Sequence, residues 1–318
     1  MPFRHLLLLI GVLLSTTAQA ITPQEIKSQV EASDKKALPN AEAFAKANPK
    51  NVDAQLWLTR ARLQAGKAES AVDSAEQAVK LAPNNAQAQF WLGNAYGNYI
   101  GEVGMLSKMS MAPKLRDAFQ ATIKLDPNNL DARESLIQFY LQAPSMVGGG
   151  KDKALIQVQE IAKRDPARGH LSQAQIYLAE KNNTAALKSY EAAYAAKPTD
   201  ASIRLALGIA YQQSNQWNNA FRHFRTWTIQ DNEAAAAWYQ IGRTSVLSGL
   251  LLDEGIAALK KYLSMPHTVN EPQNKNAYYR LGQLYVKTGK KPEAKLAFQN
   301  ALKLDPNYKE VKSELAKL

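Results

Sequence analysis

Residues 276–306 read NAYYRLGQLYVKTGKKPEAKLAFQNALKLDP, and the spacing of small and apolar residues along them decides the fold. The first part of this stretch places such residues one or three positions apart, at Tyr278, Leu281, Gly282 and Tyr285. The second part places them at Ala294, Phe298 and Ala301. Residues at this spacing line one face of an α-helix. We therefore expect two helices joined by a turn, closely packed because Gly282 and Ala294 are small, with Pro306 after the second.

The same pattern recurs over most of the chain. It is found again in residues 52–85, 167–200, 201–234 and 235–270. Two further windows open with the pattern and close it late, because they carry insertions near residues 97–113 and 143–151. A recurring pair of amphipathic helices predicts a repeat protein.

This pattern resembles the tetratricopeptide repeat family, whose unit is a helix–turn–helix of about 34 residues. The resemblance implies an all-α, right-handed superhelical solenoid of about seven such units over residues 52–308. Residues 21–51 are expected to form a degenerate first unit. Residues 309–318 are amphipathic and are expected to form a helix that caps the C-terminal end of the array.

The N-terminus has the features of a secretory signal peptide. Arg4 precedes the apolar residues 6–14, and Ala18-Gln19-Ala20 has the small-x-small form of a cleavage site. We therefore predict a signal peptide over residues 1–20, cleavage near Ala20, and an exported bacterial protein that is periplasmic or secreted. The apolar segment is shorter than the ~20 residues that a membrane-spanning helix needs, so no stable membrane insertion is expected.

The composition of the chain limits the classes of partner that we expect. The chain has a formal net charge of +11 and no cysteine, which excludes disulfides and cysteine nucleophiles. Basic proteins bind nucleic acids or other anionic partners. Export argues against nucleic acid, so other envelope proteins or peptides, or an anionic glycan, are the expected partners.

The insertion at residues 143–151 contains three consecutive glycines before a lysine. It lacks the spacing of a phosphate-binding P-loop, since Ser145 stands where that motif needs its first glycine and Asp152 follows the lysine. A weaker hypothesis is an anion site made by Gly148, Gly149, Gly150 and Lys151 ahead of a helix N-terminus. The alternative is a mobile loop in which glycine supplies the backbone freedom.

In the family that the pattern resembles, the first helices of successive units line a concave groove that binds peptides or protein segments. Transfer of that register to this chain predicts a groove rich in amides and aromatic rings. Its predicted residues are Arg60, Phe90, Asn94, Asn98, Gln138, Gln142, Gln175, Gln212, Tyr239, Arg243, Tyr279 and Gln283.

Two functional hypotheses follow from the sequence. The first is a periplasmic protein–protein interaction scaffold that binds an envelope protein or peptide in the groove. The alternative is an accessory protein of envelope polysaccharide or peptidoglycan assembly, which holds an anionic polymer on the amide-lined and basic surfaces. No catalytic residue, metal or cofactor is predicted, because the chain has no HExxH or Gly-x-Ser-x-Gly motif and no histidines at ligand spacing.

Overall fold

A computed structural model of the chain describes residues 22–266 and 271–318. The predicted signal peptide lies outside the described residues. Within those residues the structure consists of seventeen α-helices and one 3₁₀ turn, which confirms the predicted all-α fold. No helix of the described part has the length and apolarity that crossing a membrane requires.

The described residues form two compact units, with the boundary between residues 132 and 133, in the first turn of the seventh helix. The described part of the first unit contains helices α1 to α6. Their bounds are α1 Pro23–Glu31, α2 Ala37–Ala47, α3 Val52–Gln64, α4 Ala68–Leu81, α5 Ala86–Ile100 and α6 Met105–Leu125.

The second unit contains the remaining helices and the 3₁₀ turn. The helices that lead up to residue 230 are α7 Leu130–Gln142, α8 Lys151–Ala162, α9 Pro166–Ala179, α10 Asn183–Ala196, α11 Ala201–Gln213 and α12 Trp217–Gln230. They are followed by α13 Ala235–Ser248, α14 Leu252–Leu263, α15 Asn274–Lys287, α16 Lys291–Leu304 and α17 Lys309–Leu315. The 3₁₀ turn is Ser145–Val147, between α7 and α8.

Each unit is an array of helix pairs. In the first unit α3 packs against α4 and α5 against α6, and α1, α3 and α5 also pack on one another in sequence. In the second unit the pairs α9–α10, α11–α12, α13–α14 and α15–α16 repeat this arrangement, and α11, α13 and α15 pack in sequence. We call the odd-numbered helices from α1 to α15 the first helices, because each opens a pair.

Glycine in a first helix recurs beneath a large side chain of its partner helix. A Cβ atom added to Gly208 would lie 2.1 Å from the ring of Phe224, and one added to Gly282 would lie 2.3 Å from the ring of Phe298. Gly93 stands in the same relation to Phe119 in the first unit. The close helix packing that the sequence predicted from Gly282 is therefore confirmed, and its cause is an aromatic ring seated directly on the glycine.

The insertion near residues 97–113 is mostly helical. It extends α5 to Ile100 and starts α6 at Met105, so only a short connection of residues 101–104 separates the two helices. Met105 and Leu106, at the start of α6, are 73% and 86% exposed. The insertion therefore lengthens a helix pair and does not form a separate long loop.

Candidate functional site

In the first unit, the predicted groove residues contact neighbouring tryptophan rings and the backbone of their own helix. The guanidinium of Arg60 lies 4.6 Å from the ring centroid of Trp57 and 5.0 Å from that of Trp91. Burial lowers the pKa of Arg60, and Glu31 partly opposes this effect. Phe90 packs at the edge of Trp91, with ring centroids 5.5 Å apart.

Two predicted asparagines continue along α5. The Asn94 amide donates to the carbonyl oxygen of Phe90 at 2.8 Å, and the Asn98 amide donates to that of Asn94 at 2.9 Å. Each amide therefore uses one of its N–H donors within its own helix. The side-chain oxygens of the two asparagines take no part in these bonds. Asn98 is exposed and Asn94 is half-buried.

In the second unit, three predicted glutamines form a chain across α7 and α9. The Gln142 amide donates to Oε1 of Gln138 at 3.2 Å, and the Gln138 amide donates to Oε1 of Gln175 at 2.7 Å. Gln138 and Gln142 are exposed and Gln175 is half-buried. This glutamine chain brings together predicted residues from two successive first helices. Each amide has further donor and acceptor capacity that could pair with a peptide backbone.

Gln212 occupies a different environment from those three glutamines. It is 3% exposed, and its amide donates to Oε1 of Gln240 at 3.2 Å and to the hydroxyl of Thr244 at 2.8 Å. Its own Oε1 accepts a hydrogen bond from Arg243. We call Gln212, Gln240, Arg243 and Thr244 the buried amide network. The prediction that Gln212 faces a groove is wrong, because α13 packs over it and supplies polar partners for its amide.

Beside this network, two arginines approach one tyrosine. Arg280 Nε donates to the hydroxyl of Tyr239 at 2.7 Å, and its guanidinium carbon lies 5.6 Å from the Tyr239 ring centroid. Arg243 follows Tyr239 by one helical turn on α13. We call Tyr239, Arg243 and Arg280 the arginine cluster.

The arginine cluster carries concentrated positive charge. Burial is the main cause that lowers the pKa of Arg243, and the nearby charge of Arg280 lowers it further, while Tyr239 opposes both. Both arginines are half-buried. Tyr239 itself is 5% exposed, so the prediction of a groove-facing ring is wrong for it: its ring packs on Tyr262 with centroids 5.3 Å apart.

Arg280 was missed by the sequence prediction. It lies between the predicted residues Tyr279 and Gln283 on α15, and the family register assigns the groove to those two. Its bond to Tyr239 links positions 41 residues apart, which the register of a single helix does not reveal. The available signal was its position one residue after Tyr279 on a first helix.

The two remaining predicted residues on α15 are half-buried. The Tyr279 ring lies 5.3 Å from Tyr308 and 6.1 Å from Phe298, measured between centroids, and burial raises its pKa. The Oε1 atom of Gln283 is buried and has no hydrogen-bond donor among the described residues. Tyr279 therefore packs against the end of the array, close to the residue that precedes α17.

The glycine-rich segment uses its own backbone donors. The N–H groups of Gly148 and Gly149 donate to the carbonyl oxygens of Ser145 and Pro144 at 2.9 and 3.1 Å, and that of Gly150 donates to Tyr140 at 2.9 Å. A Cβ atom added to Gly149 would lie 1.8 Å from the carbonyl oxygen of Ala143, so this position requires glycine. The three glycine N–H groups are therefore not free donors, which the predicted anion site assumed.

The charged residues beside this segment are also engaged. Lys151 forms an ion pair with Glu180 of α9, and this partner raises its pKa. Lys153 donates to the carbonyl oxygen of Gly148 at 2.9 Å. The segment thus joins α7 to α8 as a hydrogen-bonded turn.

His223 on α12 is held among aromatic rings. Its ring centroid lies 5.2 Å from that of Tyr194 and 6.1 Å from that of Tyr211. Its Nε2 lies 2.8 Å from the carbonyl oxygen of Arg204, so the neutral ring donates an N–H there. Burial lowers the pKa of His223. Across the described residues, no three His, Asp or Glu side chains come together as a set of metal ligands.

Two family models described as tetratricopeptide repeat match the chain, one at residues 276–308 and the other at residues 35–74, 58–96 and 148–201. A tetratricopeptide repeat protein from Parabacteroides merdae is 15% identical, covers 92% of this chain and 95% of its own, and superposes with a TM-score of 0.51. At that identity the likeness shows the fold alone. TTC0263, a thermophilic protein with these repeats from Thermus thermophilus, is 20% identical over 59% of this chain and 96% of its own, with a TM-score of 0.49.

Among curated proteins, the general transcriptional corepressor ssn6 of Schizosaccharomyces pombe is 25% identical over 126 residues. The match covers 40% of this chain and 11% of that protein. The chain therefore spans a small part of this curated relative.

Proposed function

Because the chain is a tetratricopeptide repeat protein, we propose that it is a protein–protein interaction scaffold whose first helices hold an extended segment of a partner protein. The observation that carries the proposal is the glutamine chain. It places three amides from successive first helices in contact, at a surface with two exposed members. Amides can pair with both the N–H and the carbonyl groups of a peptide backbone.

The compartment is part of the proposal. Arg4, the apolar residues 6–14 and the Ala18-Gln19-Ala20 site support export across a bacterial inner membrane. The partner is then an envelope protein or a peptide in the periplasm. N-terminal sequencing of the protein recovered from a periplasmic fraction tests this, and the expected first residue is Ile21. Recovery in the cytoplasm with Met1 intact would refute the proposed compartment.

The scaffold is tested by in-cell cross-linking followed by identification of the captured proteins. The test variant changes Gln138, Gln142 and Gln175 to alanine together. The matched control changes Gln87, Gln159 and Gln299, three exposed glutamines outside the glutamine chain. We expect a specific partner to be captured by the wild type and the control and lost in the test variant.

Two outcomes would contradict the proposal. Capture of the same proteins by the wild type and the test variant would show that the glutamine chain is not the docking surface. Recovery of a glycan and no protein would favour the alternative, an accessory protein that holds an anionic polymer. That alternative draws on the basic segment 275–318, which contains ten Lys and Arg residues and four Asp and Glu residues.

A further inference from the structure

The arginine cluster joins two positive charges from neighbouring first helices. Arg280 on α15 reaches Tyr239 on α13 with a hydrogen bond of 2.7 Å, and Arg243 stands one turn further along α13. Burial is the main cause that lowers the pKa of Arg243, and the charge of Arg280 lowers it further. Arg243 and Arg280 therefore lie near the same tyrosine on neighbouring first helices, and both residues are half-buried.

Neither arginine has an anionic partner within the described residues. The hydrogen bonds of Arg243 and Arg280 go to neutral acceptors, Oε1 of Gln212 and the hydroxyl of Tyr239. Other arginines of this unit have carboxylate partners. Arg168 donates two hydrogen bonds of 2.5 and 2.6 Å to Glu134, and Arg225 forms an ion pair with Glu254. Two like charges that are partly buried without a counter-charge cost free energy, and a bound anion offsets that cost.

The chemistry of the cluster suits a carboxylate. A guanidinium offers five N–H donors in a planar fork, and the fork pairs with both oxygens of a carboxylate. Arg243 and Arg280 each use one donor position in the bonds described above. The whole chain has a net charge of +11, which attracts acidic partners over longer distances.

We propose that Arg243 and Arg280 together bind a side-chain carboxylate of an acidic protein segment that lies along α13 and α15. The inference rests on the proposed scaffold function and specifies it, because it states which partner sequences are selected. An acidic residue of the partner supplies the counter-charge that the fold omits. Within the buried amide network, Arg243 donates a hydrogen bond to Oε1 of Gln212, and this bond positions the arginine before the partner binds.

The direct test uses a fluorescein-labelled hexaglutamate peptide, with hexaglutamine as the neutral probe, in fluorescence polarisation titrations of the purified protein at low salt. The wild type is expected to bind hexaglutamate and not hexaglutamine. The Arg280→Gln and Arg243→Gln variants are each expected to weaken hexaglutamate binding about tenfold, or about 1.4 kcal/mol, since each loses a charge-assisted hydrogen bond to the carboxylate.

The matched control is Lys287→Gln, which removes one positive charge from the same helix at an exposed position. It is expected to change the affinity less than twofold. The Arg280→Lys variant, which keeps the charge but loses the fork, is expected to bind more weakly than the wild type and more tightly than Arg280→Gln. Circular dichroism establishes that each variant is folded before its titration is interpreted.

Three results would overturn the inference. They are equal losses in Arg280→Gln and Lys287→Gln, equal binding of hexaglutamate and hexaglutamine by the wild type, and arginine-dependent binding of polygalacturonate without binding of hexaglutamate. The last result would assign the cluster to an acidic glycan. If cross-linking captures the same partner with the wild type and the double variant Arg243→Gln/Arg280→Gln, the inference fails while the scaffold function stands. If cross-linking captures no protein with the wild type, the scaffold function itself is refuted.

Discussion

Two clusters of polar side chains on first helices both contain glutamines. They are the glutamine chain of α7 and α9 and the buried amide network of α11 and α13. In the glutamine chain, Gln138 and Gln142 are exposed and bond to one another and to Gln175. In the network, Gln212 is 3% exposed and bonds to three residues of α13. The difference teaches that the position of a residue in the repeat does not decide its exposure. The neighbouring helix decides it, by covering a side chain where it supplies polar partners.

The largest expected effect comes from breaking the close packing of α13, which carries most of the network. A Cβ atom at Gly242 would lie 2.3 Å from Cγ of Leu259, a residue that is fully buried. We expect Gly242→Ala to lower the free energy of unfolding by about 3 kcal/mol, since overpacking a core forces side chains and backbone to shift. Urea denaturation measures it.

The matched control for this change is Gly97→Ala on α5. The added Cβ atom would meet Leu115 at an ordinary 3.5 Å, so the same substitution is expected to stabilise the protein by about 0.5–1 kcal/mol. Equal effects at the two glycines would show that the packing against Leu259 does not hold α13 in place.

The second expected effect tests the network itself. Gln212→Ala removes the acceptor of the half-buried Arg243 and the hydrogen bond that the Thr244 hydroxyl accepts. That hydroxyl keeps its bond to the carbonyl oxygen of Gln240. We expect a loss of about 2 kcal/mol of unfolding free energy. Gln213, the next residue of α11, is exposed, and Gln213→Ala is expected to change stability by less than about 0.5 kcal/mol. Similar losses of unfolding free energy in the two variants would show that the buried glutamine contributes no more to stability than the exposed one.

The third effect extends the contrast to a polar group that titrates. His223 has a pKa below its ordinary value of 6.5 because it is buried, so the unfolded chain takes up a proton first as the pH falls. Its contribution to stability is fully present above about pH 6.5 and is lost as the pH falls through the lower pKa of the folded state. Urea denaturation across this range measures the loss, and His223→Gln, which keeps a donor for the Arg204 carbonyl, is expected to reduce the slope. An identical slope in the variant would contradict the assignment to His223.

The smallest expected effect is at the glutamine chain. Changing Gln138, Gln142 and Gln175 to alanine together is expected to alter the free energy of unfolding by less than about 0.5 kcal/mol, because hydrogen bonds at the surface exchange with water. Thermal denaturation checks this. A loss comparable to that of Gln212→Ala would mean that the glutamine chain is a structural network like the one around Gln212, and the docking proposal would lose its basis.

The repeat itself could be predicted from the sequence. The spacing in residues 276–306 depends on local rules of helix periodicity and on the presence of small residues where two helices meet. The structure confirms α15 and α16 as such a pair, with Gly282 under the ring of Phe298. The exported location inferred from residues 1–20 stays a prediction.

The candidate site was predicted only in part, and the errors have a common origin. Gln212 and Tyr239 were assigned to a groove by their register, but both are buried. The glycines at 148–150 suggested free donors, but their N–H groups close a turn on Ser145, Pro144 and Tyr140. In each case the partner lies on another helix or in a turn whose path the periodicity of one helix does not describe.

The sequence by itself determined that this chain is an all-α repeat of helix pairs, because periodicity and glycine placement act within a few helical turns. Only the tertiary structure decided which polar residues of the first helices are buried, and that Arg280 meets Tyr239 beside Arg243. The physical reason is that burial and charge density depend on groups that approach from neighbouring helices. Their distances follow from the packing of α11, α13 and α15 on one another.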